Sequence, residues 1–259
     1  MALKITATNK YNQSIVITQN ANFQLVAISG ITPPKANVNT SALANMDGSA
    51  FNSSKLNNRN IVMTIQPVGN IESNRLTIYQ YFKVKQPITL EIKTANRDVV
   101  IDGYIENMEI DVNANPQTIQ VSIICPNPWF KAKTAQVITL DTNPKTIASE
   151  SDDEVGAIFT ATISGAVSNP TFTDSTTGQT FGLTYNLVSG DKLTLNTRRG
   201  EKSVSVLRSG STINLINYIT STSKWIALAT GNNSIGYGAS SGAANMAVTV
   251  TLQSIFEGV

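Results

Sequence analysis

Histidine is absent from the 259-residue chain, and that absence removes most of the chemistry that side chains can be spaced to perform. Without imidazole there is no Ser/His or Cys/His nucleophilic pair, no acid–base group poised near neutrality and no histidine-containing metal site. The single cysteine, Cys125, is the remaining thiol nucleophile. It stands in Val121-Ser-Ile-Ile-Cys-Pro, the end of an apolar strand pattern, where a small sulfur side chain is core filling. One cysteine also excludes an internal disulfide framework and agrees with a reducing compartment.

Carboxylates need no histidine, since two Asp or Glu facing a cleft suffice to hydrolyse a glycosidic bond. The candidates are Asp102, Glu106, Glu109 and Asp111. Their alternation marks the wet face of a strand, and nothing in the spacing pairs them across a cleft. Asp111-Val-Asn-Ala-Asn begins like a calcium loop, with oxygen donors at every second position. The glycine expected next is Pro116 and the bidentate acid expected further on is Ser122, so the match fails. Asp152-Asp-Glu reads as a solvated acidic run rather than a metal site. Gly231-Asn-Asn-Ser-Ile-Gly-Tyr-Gly lacks the Lys-Ser or Lys-Thr of a phosphate-cradling loop and sits among strand patterns. Arg198, Arg199 and Lys202 surround a predicted hairpin tip without the interleaved aromatics of a single-strand nucleic-acid site. One ligand candidate is left. Trp225, in Ser223-Lys-Trp-Ile-Ala-Leu, offers an aromatic face of the kind on which sugars stack, although its apolar neighbours favour a core or half-buried position. No catalytic, cofactor-binding or metal-ligating residue emerges.

Composition points the same way. Hydrophobic residues make up 41% of the chain, charged residues only 14%, and the net charge is +2. Each half can therefore build a core while its surface relies on Ser, Thr, Asn and Gln, which suits protein partners. So thin a charge leaves no electrostatic footprint for nucleic acid. No run approaches the roughly 20 apolar residues of a membrane-spanning helix. The opening Met1-Ala-Leu-Lys-Ile-Thr-Ala-Thr-Asn-Lys lacks the apolar core of a signal peptide, so synthesis in a cytoplasm is expected.

The elements that must carry these residues are strands. Short alternating runs such as Asn60-Ile-Val-Met-Thr-Ile-Gln and Ile88-Thr-Leu-Glu-Ile-Lys are broken by Gly, Pro, Asn and Asp. One segment, Glu72 to Phe82, places Leu76, Tyr79 and Phe82 at helical spacing, with Ser73 as cap, and predicts a short helix. Between Ile31 and Leu56 periodicity disappears, which predicts a long loop or an extended, partner-binding arm. Outward charges fall on even positions up to Glu106 and on odd ones from Glu109, a change of phase that predicts a bulge near Glu106 and Asn107. The prolines of Cys125-Pro-Asn-Pro-Trp-Phe forbid continuation of a central strand and predict the end of a domain. The boundary is set between residues 135 and 136, giving domains 1–135 and 136–259. In the second, Thr176-Thr-Gly-Gln, Val188-Ser-Gly-Asp, Thr197-Arg-Arg-Gly-Glu and Arg208-Ser-Gly-Ser read as hairpin turns of a sandwich or jelly roll.

Several strings, in their order, resemble the distal tail protein family of siphophages. They are Arg59-Asn-Ile-Val-Met-Thr-Ile, Tyr79-Gln-Tyr-Phe, Ile101-Asp-Gly-Tyr-Ile-Glu-Asn-Met-Glu, and Gln120-Val-Ser-Ile-Ile-Cys-Pro-Asn-Pro-Trp-Phe. In the second half they are Ser164-Gly with Asn169-Pro, Ser189-Gly-Asp-Lys-Leu-Thr-Leu-Asn-Thr-Arg-Arg-Gly, Leu228-Ala-Thr-Gly-Asn-Asn and Phe256-Glu-Gly-Val. The resemblance implies an all-β protein with one short helix. Its N-terminal β-sandwich or split-barrel-like domain would form a homohexameric ring, and its C-terminal domain would be galectin-like or jelly-roll. It implies a non-enzymatic tail-tip hub in the virion, without cofactor, joining the tail tube protein to a tail-associated fibre or lysin protein around a channel for DNA. Two alternatives stay open: a carbohydrate-binding adhesion module acting on host cell-wall glycan through the C-terminal sandwich, and the equivalent hub of a contractile phage or bacteriocin particle. Neither specific nucleic-acid recognition nor membrane association is expected.

Overall fold

Strict alternation of apolar and polar residues builds the first part of the molecule, which a computed structural model describes for residues 3–18 and 20–259. Met1, Ala2 and Gln19 lie outside the described residues, so the opening segment is described from Leu3. The chain divides into two units. The first runs to Lys133 and includes Phe256–Val259, and the second is Thr134–Ile255. The boundary thus falls two residues before the expected one, and the last four residues join the first unit. The reason is physical: Phe256 is 6% exposed within the first unit's core, and Val259 packs against it.

The first unit contains β1 (Lys4–Asn9), β2 (Ser14–Val16), β3 (Phe23–Ser29), β4 (Ala36–Ala42), β5 (Ser49–Leu56) and β6 (Arg59–Pro67). The helix α1 (Ile71–Tyr81) precedes β7 (Pro87–Lys93), β8 (Asp98–Ile110), β9 (Ile119–Cys125) and β10 (Phe130–Ala132). An antiparallel sheet runs in the order β2-β1-β7-β8-β9-β6-β3, with β10 also paired to β8. One face is apolar, carrying Ile61, Met63 and Ile65 of β6, Val121 and Ile123 of β9, and Leu90 and Ile92 of β7, all fully buried. The other face is wet, as expected of an antiparallel sheet covered on one side.

The bulge is present, with the β8–β9 register shifting between Ile105 and Asn107. Buried positions change phase there, so Ile105 and Met108 face the same core. Gly103 belongs to the same strand because nothing larger fits: a Cβ there would lie 2.6 Å from Ile123 Cγ2 and 2.9 Å from Cys125 Sγ. The prolines of Pro126-Asn-Pro-Trp interrupt a strand rather than end the unit. β9 pairs with Tyr104–Ile110 of β8, and after the break β10 resumes on Val99 and Val100.

The helix covers the apolar face, one residue earlier than expected at each end; of the expected stripe Phe82 and Tyr79 lie on the core and Leu76 does not. Asn70 caps it, its side-chain oxygen accepting the Ser73 backbone N–H at 3.2 Å. Ile78 and Phe82 are fully buried, whereas Leu76 is 49% exposed. The i, i+4 pair Ile78 and Phe82 anchors the helix, Tyr79 packs beside it, and only Leu76 of the expected series turns outward. No helix among the described residues is long and apolar enough to cross a membrane.

The second unit contains β11 (Gln136–Thr139), β12 (Lys145–Ser149), β13 (Val155–Gly156), β14 (Ile158–Ile163), β15 (Val167–Asp174), β16 (Gln179–Gly182) and β17 (Asn186–Leu187). There follow β18 (Lys192–Asn196), β19 (Ser203–Arg208), β20 (Ser211–Asn214), β21 (Ala227–Leu228), β22 (Gly231–Ser241) and β23 (Met246–Leu252). Two antiparallel sheets, β11-β23-β14-β18-β19-β20 and β12-β22-β15-β16 with β17 on β15, share one apolar core. Phe159 and Phe172, from different sheets, meet in it with ring centroids 5.4 Å apart. Three of the four expected hairpins form, at β15–β16, β18–β19 and β19–β20. The Val188-Ser-Gly-Asp turn is different, since it carries the chain from β17 in one sheet to β18 in the other.

Candidate functional site

Burial decides the fate of the chemical candidates. Cys125 is fully buried, and removal from water pushes its thiol pKa up to about 11, so the nucleophilic thiolate is suppressed. Glu106 and Glu109 both line an open depression, together with Asn60, Gln120 and Ser122. Glu106 accepts a hydrogen bond from Ser122 Oγ at 2.7 Å and Glu109 one from Asn107 Nδ2 at 2.7 Å. Asp102 instead accepts from Thr89 Oγ1 at 2.7 Å, and Asp111 closes a local turn by accepting the Asn113 N–H at 2.9 Å. All four occupy exposed positions on or beside β8. Among the described residues no group of three or more Cys, Asp and Glu gathers as for a metal ion.

Trp225 is half-buried against the core of the second unit. Its ring contacts Phe181, centroids 4.9 Å apart at 47°, and Lys202 Nζ lies 5.6 Å from its centroid. Arg198 and Arg199 sit at the tip of the β18–β19 hairpin beside Gly200, the first half-buried and the second exposed.

Sequence reading overlooked a buried carboxylate paired with a half-buried arginine behind the Val188 turn. Asp191 is 1% exposed and accepts from Arg208 Nε at 2.9 Å, Arg208 Nη2 at 2.6 Å and the Val188 N–H at 2.9 Å. The Arg208 hydrogen bonds hold the carboxyl below the usual carboxylate range. A depressed folded pKa stabilises the unit fully above the unfolded value of about 3.9, and the contribution is lost as pH falls through the lower folded value. Acid unfolding of the second unit, followed by Trp225 emission in a Trp129→Phe background, is therefore expected to steepen below about pH 4. Asp191→Asn is expected to be less stable at neutral pH and to lose that acid slope. An unchanged slope in the variant would assign the acid sensitivity to other carboxylates.

The prominent surface features belong to the first unit and suit protein contact. Strands β4 and β5 pair only with each other, and no residue of either is buried. What was expected as a loop or arm is thus a hairpin arm. Asn39 Nδ2 donates to Ser53 Oγ at 3.0 Å and Asn52 Nδ2 to Ser41 Oγ at 2.6 Å across it. Its turn uses Asn45 and Gly48 at positive φ. Val38, Met46 and Phe51 project from it, 54%, 70% and 66% exposed. The second feature is the outer edge of β3, Phe-Gln-Leu-Val-Ala-Ile-Ser, which carries no charge. Its Val26 is 53% exposed at a bulge. Soluble proteins ordinarily blunt such edges with charge, because an open backbone ladder is a template for another strand.

Residues 150–253 match the family described as siphovirus-type tail component, C-terminal domain. No curated protein matches the chain. Among solved structures the chain is similar to the SPP1 Dit (gp 19.1) protein, described as a paradigm of hub adsorption apparatus in Gram-positive infecting phages. The TM-score is 0.73 at 11% identity, over 97% of this chain and 99% of that one. It is also similar to a chain of the phage P2 baseplate in its activated conformation with Ca, at TM-score 0.55 and 11% identity over the whole of both chains. With the phage p2 baseplate in its activated conformation with Sr the values are 0.54 and 10%, again over both whole chains. At these identities the likeness is one of fold, and it spans both units.

Proposed function

From a C-terminal unit of the siphovirus-type tail component family, on a chain that folds throughout like the SPP1 Dit protein, we propose that this protein is the hub of a phage tail tip. The observation that carries the reading is the extent of the fold match, nearly all of both chains, together with the family match over 150–253. Six copies close into a ring through their first units, continue the tail tube on one side and hold the fibre or lysin protein on the other. The protein acts in the virion tail after synthesis in the host cytoplasm, and it acts without catalysis or cofactor.

Three physical features support it. A closed ring needs a heterologous contact, in which two different surfaces of one copy meet their complements on the next. The exposed hairpin and the uncharged β3 edge are two such surfaces on one unit. A surface built from Ser, Thr and Asn carries little charge to be desolvated when wide faces close, and unpaired buried charge is the costly case. Native mass spectrometry of the protein, alone and mixed with the tube protein of its own particle, is expected to give a hexamer in at least one condition. Monomer in both would overturn the proposal.

A further inference from the structure

One guanidinium gathers the root of the hairpin arm. Arg59 opens β6 and is only 3% exposed. Its Nη1 donates to the carbonyls of Gly30 at 2.5 Å and Thr32 at 2.7 Å, its Nε to Pro128 at 2.7 Å and its Nη2 to Glu257 at 2.6 Å. The guanidinium carbon lies 4.5 Å from the centroid of the Phe130 ring. Four carbonyls from three distant chain segments therefore converge on one planar fork, a geometry that a lysine ammonium cannot reproduce.

The final residues close the same root from the other side. The Val259 N–H donates to Ile31 O at 3.0 Å. Arg97 Nη1 donates to Gly258 O while its guanidinium lies over the Phe256 ring, 4.3 Å from the centroid. Gly258 runs so close to the root that a Cβ would stand 2.9 Å from Pro33 Cδ and 3.3 Å from Ile31 O. Gly30 is equally constrained, with φ +82 and room for no Cβ against Asn60 O. The segment Gly30 to Pro33 is thus tied by Arg59 on one side and by the tail on the other, and the arm begins at Ala36.

We propose that Phe256–Val259 is a strap that, with Arg59 as its positioning residue, fixes the direction in which the β4–β5 arm leaves the first unit. An arm without a buried residue has no core packing along its length to orient it, and an isolated two-stranded hairpin is marginal in water, so orientation is set at its root. Only what the arm touches afterwards rests on the hub reading; the strap does not.

Hydrogen exchange read by mass spectrometry on the full chain, without partners, tests this. Arg59→Lys removes the fork, and Gly258→Ala displaces the tail with Arg59 intact, so one variant failing to fold leaves the other informative. In both, amides of residues 30–32, 257–259 and the arm are expected to exchange about tenfold faster or more, as for loss of a hydrogen bond to a charged group. Protection of β7, β9 and α1 is expected to remain at the wild-type level. Unchanged exchange at 30–32 in both variants overturns the strap, as does a loss of protection spread evenly through the sheet. Failure to form rings with the expected exchange pattern would count against the hub alone.

Discussion

Replacing Ala36–Leu56 by a short glycine–serine linker is expected to leave the first unit folded and to abolish assembly. The excised hairpin buries none of its residues within its own chain, so its removal deletes backbone hydrogen bonds that are already open to water and no part of the core. The change in stability is expected to stay within about 1 kcal/mol, because solvent-exposed positions away from the core rarely matter more. Assembly is another matter. Val38, Met46 and Phe51 are more than half exposed, and full burial of such side chains against a neighbour is worth roughly 1.5–3 kcal/mol each. Losing even two of them weakens association by more than about a hundredfold, at 1.4 kcal/mol per decade. Near-ultraviolet circular dichroism reports the fold and native mass spectrometry the oligomer. A ring formed by the excised chain at wild-type concentration would remove the arm from the interface.

The largest expected effect on stability lies in the helix. Phe82→Ala removes a fully buried ring from the core beneath α1, at a cost of about 3–5 kcal/mol for transfer and the cavity left behind. For a unit of this size that corresponds to a fall in Tm of roughly 10–20 °C. Each unit holds one of the chain's two tryptophans, Trp129 in the first and Trp225 in the second, so Trp129 emission in a Trp225→Phe background isolates the transition. Leu76→Ala is the control, because Leu76 is 49% exposed and its truncation is expected to change stability by less than about 0.5 kcal/mol. Equal shifts in the two variants would show that the helix packs on a different face.

Where one face of a strand is buried, the sequence announces it. The phase change between Glu106 and Glu109 located the β8 bulge, and the alternation of residues 119–125 located β9. The arm was missed as a hairpin for the converse reason. Both its faces are wet, so Ala-Asn-Val-Asn-Thr-Ser-Ala shows no apolar rhythm although its backbone is extended. The Asp47-Gly48 pair, a strong short-range hairpin signal, was the available clue. Helical spacing likewise admits two stripes through one segment, and the choice of Ile78 over Leu76 is made by the sheet beneath. Arg59 looked like an ordinary charged residue opening a strand. Its partners are carbonyls, which carry no side-chain signature, and they come from segments far apart in the chain. Cys125 was legible as core because it closes an alternating run.

The contact between Arg59 and Glu257 spans 198 residues, and this orders events during synthesis. At the usual 5–20 residues per second the ribosome needs about 10–40 s to travel from one to the other. Throughout that interval the sheet of the first unit can pair, but the root of the arm has only part of its anchorage. The whole second unit is made before the strap arrives. A chain that stops short of residue 256 therefore carries an unfastened arm.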